Sequence, residues 1–365
     1  MNQPLVSVVT PFHNTARYLP QCIDSVLAQR YSRFEYILVD NCSTDGSSEI
    51  AGNYSRLDSR IRLIRRSHLL SQVQNYNSAL EEISPNSEYC KIVQADDSIF
   101  PECLGAMVQA FEQSTSVGLV SSYWLKGNTV WGSDYPYPAK LLPGKEMARL
   151  FLRNRVYVFG SPSTVMYRSS IVRDQQPFYD ESLLHEDSEK CMQILQRWDF
   201  GFVHQVLSCL RLSNDSISSL AQTFRPEALD WYIIAQRYAS TFLETNEALA
   251  LKRQSKREYY QILAQEALCF RGSEFWRYHG AGLNTLGEKL DRVCLTLQVG
   301  HTLLRVVANP GSTIMSVVRY WKNDSNRTTT ASRSALTGTT DCRPQGATLK
   351  HGTRAEDSLA TKVRD

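Results

Sequence analysis

Four polar clusters interrupt apolar stretches of this chain: Thr10-Pro11, Asp40-Asn41, Asp96-Asp97 and Glu186-Asp187. Carboxylates so placed can hold a divalent cation, accept hydrogen bonds from a heterocycle, or take a proton from an attacking hydroxyl. Each cluster also has a plainer use. Asp and Asn favour turns and helix caps, and acidic residues suit the first turn of a helix. The elements around the clusters decide between these uses.

The first half alternates strand and helix signals. Leu5 to Thr10 reads as a buried strand stopped by Pro11, and Phe34 to Val39 as a second. Ile61 to Ile64, Tyr89 to Val93 and Val117 to Tyr123 follow as further strands. Helices fit between them over about Ala16 to Gln29, from Asp45 as N-cap, over Val73 to Ile83, and after Pro101. Such alternation predicts right-handed βαβ units and a mostly parallel sheet. Ligands of such sheets bind beyond the carboxyl ends of the strands, so Thr10, Asp40 and Asp96-Asp97 should share one edge.

After about residue 125 the pattern weakens. GSDYPYPAKLLPG reads as a loop or lid, whose Trp124, Trp131, Tyr135 and Tyr137 suit either sugar stacking or packing. Ser163 to Tyr167 reads as a strand, His185 to Trp198 as a helix, and Arg225 to Glu274 as strongly helical. Residues 323–365 lack aromatics and read as a disordered tail.

Composition narrows the classes. The 365 residues are 42% hydrophobic and 21% charged, enough for a large core, and a net charge of +3 argues against a nucleic-acid partner. The nine cysteines show no close pairing, which fits buried thiols in a reducing compartment. The N-terminus lacks the pattern of a secretory signal, and no long apolar run would span a membrane. The expected location is cytoplasmic, with the inner face of a membrane as one site of action.

The stretch VSVVTPFHNTARYLPQCIDSVLAQRYSRFEYILVDNCSTDGS resembles the start of glycosyltransferase family 2, the inverting GT-A enzymes. It supplies a strand ending in T-P-x-x-N, a helix carrying S-V-L-x-Q, and a strand ending in V-D-N-x-S-x-D-G-S. QADD at 94–97 and HED at 185–187 resemble the family's DxD and E-D motifs, so the resemblance spans about residues 4–220. It implies a Rossmann-like GT-A sheet flanked by helices over 1–220, followed here by a helical extension over 221–322. It also implies a nucleotide-sugar donor, most simply UDP-linked, contacted by Thr10, Pro11, Asn14, Asp40, Ser43, Asp45, Asn75, Asp96 and Arg211. Asp97 would hold Mg²⁺ or Mn²⁺, Asp187 would be the general base, and Glu186 would support an acceptor on a polysaccharide, glycolipid or glycan.

Three positions depart from the family pattern. Gln94 stands where Asp is common, Gln74 where Arg is common, and Ser213 where a His is usual. These changes raise a second reading, a catalytically degenerate member that binds nucleotide-sugars or scaffolds a membrane-associated assembly. Gly280-Ala281-Gly282 begins like a dinucleotide fingerprint but reads as a loop. Residues 293–321 mix Val, Leu and Ile with Arg, which fits a helix packed on its own domain or one lying on a membrane.

Overall fold

The computed structural model describes residues 3–181, 186–211 and 224–308, without the side chains of Glu186 and residues 305–308. Compact packing runs through Thr302, and a second unit begins at Leu303. The expected tail at 323–365, together with His185, Ser213 and the segment at 216–218, lies outside the described residues.

The strands are β1 (Val6–Phe12), β2 (Phe34–Asp40), β3 (Ile61–Arg65), β4 (Tyr89–Ile92), β5 (Ser98–Ile99), β6 (Val117–Lys126), β7 (Thr129–Trp131), β8 (Leu141–Leu142), β9 (Met166–Arg168) and β10 (Asp199–Leu210). They form one sheet in the order β3-β2-β1-β4-β9-β6-β10-β5, with β7 on β6 and β8 on β10. β1 pairs in parallel with β2 and β4, as do β2 with β3 and β6 with β10. β9 runs antiparallel to both β4 and β6, so those two share a direction. The mostly parallel sheet expected from the sequence is therefore present.

The helices are α1 (Leu19–Leu27), α2 (Ser47–Leu57), α3 (Gln72–Leu80), α4 (Cys103–Phe111), α5 (Gly144–Asn154), α6 (Ser169–Asp174), α7 (Glu186–Ile194), α8 (Pro226–Phe242), α9 (Thr245–Leu268), α10 (Ser273–Asn284) and α11 (Arg292–Ala308). Adjacent strand residues supply opposite faces of the sheet. Val8, Tyr36 and Leu38 join a core with α1 and α4, whereas Val9, Ile37 and Val39 join another with α3, α5, α7 and α8. Burial on both faces explains why these strands are continuous apolar runs. Ile234, Tyr238 and Phe242 of α8 belong to the second core, so this helix packs on the sheet itself.

Local differences from the expected elements have physical causes. β1 continues through Pro11 to Phe12, because β4 pairs with β1 only as far as Val9 while β2 pairs on to Phe12. Val9 accepts from Val93 on the β4 side, so Pro11, two residues on, turns its missing N–H toward that same, already open, side. α2 starts after Gly46, left-handed at φ 92°, and not on Asp45. Pro162–Thr164 is a 3₁₀ turn, with strand structure starting only at Met166. The Pro-rich stretch ends in β8 and leads directly into α5.

Candidate active site

The parallel topology places the ends of β1, β2, β4 and β10 on one edge of the sheet. The loops after β1 and β2 are knitted together there. Asn14, left-handed at φ 49°, donates its N–H to Ser43 Oγ at 3.0 Å, and its Oδ1 accepts from Thr44 N–H at 2.8 Å. Asp45 accepts from Ala16 N–H at 2.9 Å and from the N–H and hydroxyl of Ser47 at 3.0 and 2.5 Å. Ser43 N–H donates to Asp40 Oδ1 at 2.9 Å. Asn14, Ser43 and Asp45 thus act on Asp40 and the loop backbones around it.

Thr10 has its hydroxyl engaged inside the sheet. Its side chain is fully buried, donating to Val93 O at 2.8 Å and meeting Tyr36 Oη at 3.1 Å, and it ties β1 to β4 from inside the sheet. Pro11 is likewise buried. Asn41 spans to Leu70, donating to its carbonyl at 3.0 Å and accepting from its N–H at 2.8 Å. That bridge sets the start of α3, where Asn75 is buried and its Oδ1 has no partner. A buried acceptor left unmade is costly, which marks Asn75 as a place for a ligand donor.

Asp97 closes a turn, its N–H donating to Gln94 O at 2.9 Å. Its Oδ2 accepts from Ser163 Oγ at 2.6 Å and its Oδ1 from Arg211 N–H at 3.1 Å. Burial, then the charge of adjacent Asp96, pushes the Asp97 carboxyl above the ordinary carboxylate range. A buried carboxyl beside a second acidic side chain is a local concentration of negative charge, which a divalent cation would relieve, so the pair fits Mg²⁺ or Mn²⁺. Among the described residues no group of three or more His, Cys, Asp or Glu gathers around a common point.

Arg211 connects to the same edge through its side chain. The guanidinium stacks on the Tyr18 ring, its Nε is buried without a partner, and burial lowers its pKa against the pull of Tyr18 and Asp96. Gln94 and Gln74 have other duties in this chain. Gln94 Nε2 donates to Tyr76 Oη at 2.8 Å. Gln74 completes a capping box with Ser71 and donates to Glu181 at 3.1 Å.

Asp187 lies in the first turn of α7 and accepts from Ser188 N–H at 2.7 Å. Burial and then its charge raise the pKa of Cys191, and burial raises that of Tyr167 with a smaller contribution from Asp187. Glu186 begins the same helix, and its side chain is outside the described residues. The aromatics of the supposed lid divide. Trp124 and Tyr135 are core residues at 2% exposure, whereas Trp131 at 45% and Tyr137 at 80% face solvent. Lys91, Ser163, Tyr76 and Tyr18 were not singled out from the sequence, because no local motif marks them.

Comparison with known proteins places similar sequences and folds beside this chain. The description "Glycosyl transferase family 2" matches residues 7–175. Glycosyltransferase GlyG of Streptococcus pneumoniae is 31% identical over 120 residues, 33% of this chain and 39% of that protein. The putative teichuronic acid biosynthesis glycosyltransferase TuaG of Bacillus subtilis is 36% identical over 95 residues, 26% of this chain and 37% of its own length. The chain thus spans under half of the length of these relatives. In fold, S. aureus TarS 1–349, solved with UDP-GlcNAc, superposes with a TM-score of 0.57 at 18% identity, covering 77% of this chain and 79% of that one. The mannosyltransferase PcManGT of Pyrobaculum calidifontis, solved with GDP-Man and Mn²⁺, gives 0.52 at 15%, covering 88% and 85%. Residues 7–175 thus match a glycosyltransferase family 2 domain, built on a sheet of the GT-A fold.

Proposed function

We propose that this chain is an inverting glycosyltransferase, moving a sugar from a nucleotide-sugar donor to a hydroxyl of a saccharide or glycolipid acceptor. The convergence of Asp40, Asp96-Asp97 and Arg211 on one sheet edge carries the reading. The family match supports it, as do nucleotide-sugars in the structures of TarS and PcManGT.

Asp40, held through Oδ1 by Ser43, would accept the imide N–H of a uracil at its other oxygen. Asn75 Oδ1, lacking a donor, would take a hydroxyl or amide of the nucleotide. Asp96 would bond the ribose or the donor sugar, and Arg211 would leave the Tyr18 ring to face the diphosphate. Asp97 would hold Mg²⁺ or Mn²⁺, which when bound supplies Lewis-acid neutralisation of the charge on the departing diphosphate. Asp187 would take the proton of the acceptor hydroxyl as its oxygen bonds to the anomeric carbon and the bond to the diphosphate breaks. Val293 and Leu297, exposed at 71% and 68% one turn apart on α11, suit approach to a lipid-borne acceptor. Among the described residues no helix is long and apolar enough to cross a membrane.

A thermal-shift screen of UDP- and GDP-sugars with Mn²⁺ tests donor binding, since a ligand of the native state raises the melting temperature. Donor turnover by wild type and by Asp187→Asn then tests chemistry. Equal slow turnover by both would leave the chain as a binding or scaffold member of its family.

A further inference from the structure

Lys91 is a lysine in the central strand β4 with no exposed surface. Its Nζ donates to the carbonyls of Ser163 and Val165 at 2.5 and 3.2 Å. Burial pushes its pKa down to about 8, a sign of how poorly a charge is tolerated there. A residue serving only to fill β4 would be apolar, as Tyr89 and Ile92 are. The partners of the ammonium show what it is for. Both carbonyls belong to the turn Pro162–Thr164 and the residue after it, a short 3₁₀ piece whose own bonds run only from Ser163 and Thr164 back to Ser161 and Phe159.

Ser163 is a hub. Its carbonyl accepts from Lys91, its hydroxyl donates to Asp97 Oδ2 at 2.6 Å, and the same oxygen accepts from Gln94 N–H at 2.9 Å. The other Asp97 oxygen is held by Arg211 N–H. One buried cation therefore fixes the turn that fixes the carboxylate at the mouth of the cleft. We propose that Lys91 is a positioning residue: by pinning the Ser163 and Val165 carbonyls it holds Asp97 in the orientation that receives a divalent cation together with a nucleoside diphosphate. The part concerning the cation rests on the nucleotide-sugar reading above; the pinning itself does not.

Lys91→Met removes the ammonium and keeps a chain of similar length. Two amides report on the relay without any ligand, Gln94 N–H on Ser163 Oγ and Arg211 N–H on Asp97 Oδ1. Hydrogen exchange of peptides containing them should speed up about tenfold or more in Lys91→Met, the loss expected for a hydrogen bond to a charged group, while peptides of β1 and β2 change little. Unchanged exchange at both, or an equal rise across β1 and β2, would overturn the proposal. The second measurement is calorimetric affinity for UDP and GDP with Mn²⁺ against EDTA. Lys91→Met should weaken Mn²⁺-dependent binding about tenfold, Ser163→Ala similarly, and the double variant no further, because both act through one contact. Losses that multiply would overturn it. If wild type binds neither nucleotide while the exchange pattern holds, the relay stands and the donor reading falls.

Discussion

Ser163 and Asp97 lie 66 positions apart in sequence and 2.6 Å apart in the fold, hydroxyl to carboxylate. With Arg211 N–H on the other oxygen, the carboxylate is held on both sides inside a buried pocket. Such fixing is expected of a group that must meet a cation in one orientation. Asp97→Asn keeps the shape and an acceptor for Arg211 but removes the charge. Nucleotide affinity of this variant should be the same with Mn²⁺ as with EDTA, within about twofold. A wild-type response to Mn²⁺ in Asp97→Asn would remove Asp97 from the metal site.

Asp187 stands in the first turn of α7, where an acid or an amide is equally compatible with the helix. Asp187→Asn should therefore fold and bind donor as wild type does. Its transfer rate should fall by about 10²- to 10⁴-fold, the usual contribution of a positioned general base. Donor affinity from titration and turnover from product release separate the two effects. A loss confined to donor affinity would reassign Asp187 to binding.

What could be read from the sequence, and what could not, follows contact distance along the chain. Asp40, Ser43 and Asp45 could be read because their partners are near neighbours or lie in the loop after β1, all within one βαβ unit. Ser163 could not, since its meaning depends on β9 returning antiparallel beside β4. β10 escaped detection because its register with β6 shifts after Asp199, Val203 and Val206, breaking the two-residue alternation by which strands are recognised. α5 is different. Met147, Ala148, Phe151 and Leu152 do recur at helical spacing, but they follow directly on the Pro-rich stretch ending at Gly144, where the regular strand–helix alternation weakens.

The two glycines of Gly280-Ala281-Gly282 make opposite predictions, although both lie within α10. A Cβ on Gly282 would stand 2.3 Å from Leu229 Cδ2, so α10 approaches α8 closely only because this residue lacks a side chain. A Cβ on Gly280 would meet nothing within 4 Å. Gly282→Ala should cost about 1–3 kcal/mol through overpacking. Gly280→Ala should stabilise by about 0.5–1 kcal/mol through helix propensity. Denaturant melts of the pair check this, and equal shifts would refute the packing argument.

His279 couples the stability of the helical region to pH. It is fully buried, with Nε2 at 2.9 Å from Phe224 O and Nδ1 at 2.9 Å from Tyr259 Oη. A carbonyl can only accept, so Nε2 carries the hydrogen and the neutral ring accepts from Tyr259 at Nδ1. Burial lowers its pKa from 6.5 to about 4, against the pull of the Phe224 bond. The unfolded chain therefore binds this proton more readily than the folded one, and stability falls as pH drops through the window from 6.5 to 4. The loss from this one group should reach about 2 kcal/mol between pH 7 and pH 5. Gln in its place keeps a donor for Phe224 and cannot titrate. The fall in melting temperature between those two pH values should accordingly be smaller in His279→Gln than in wild type. An equal fall in both would mean that the folded chain binds this proton as readily as the unfolded one, and would refute the coupling.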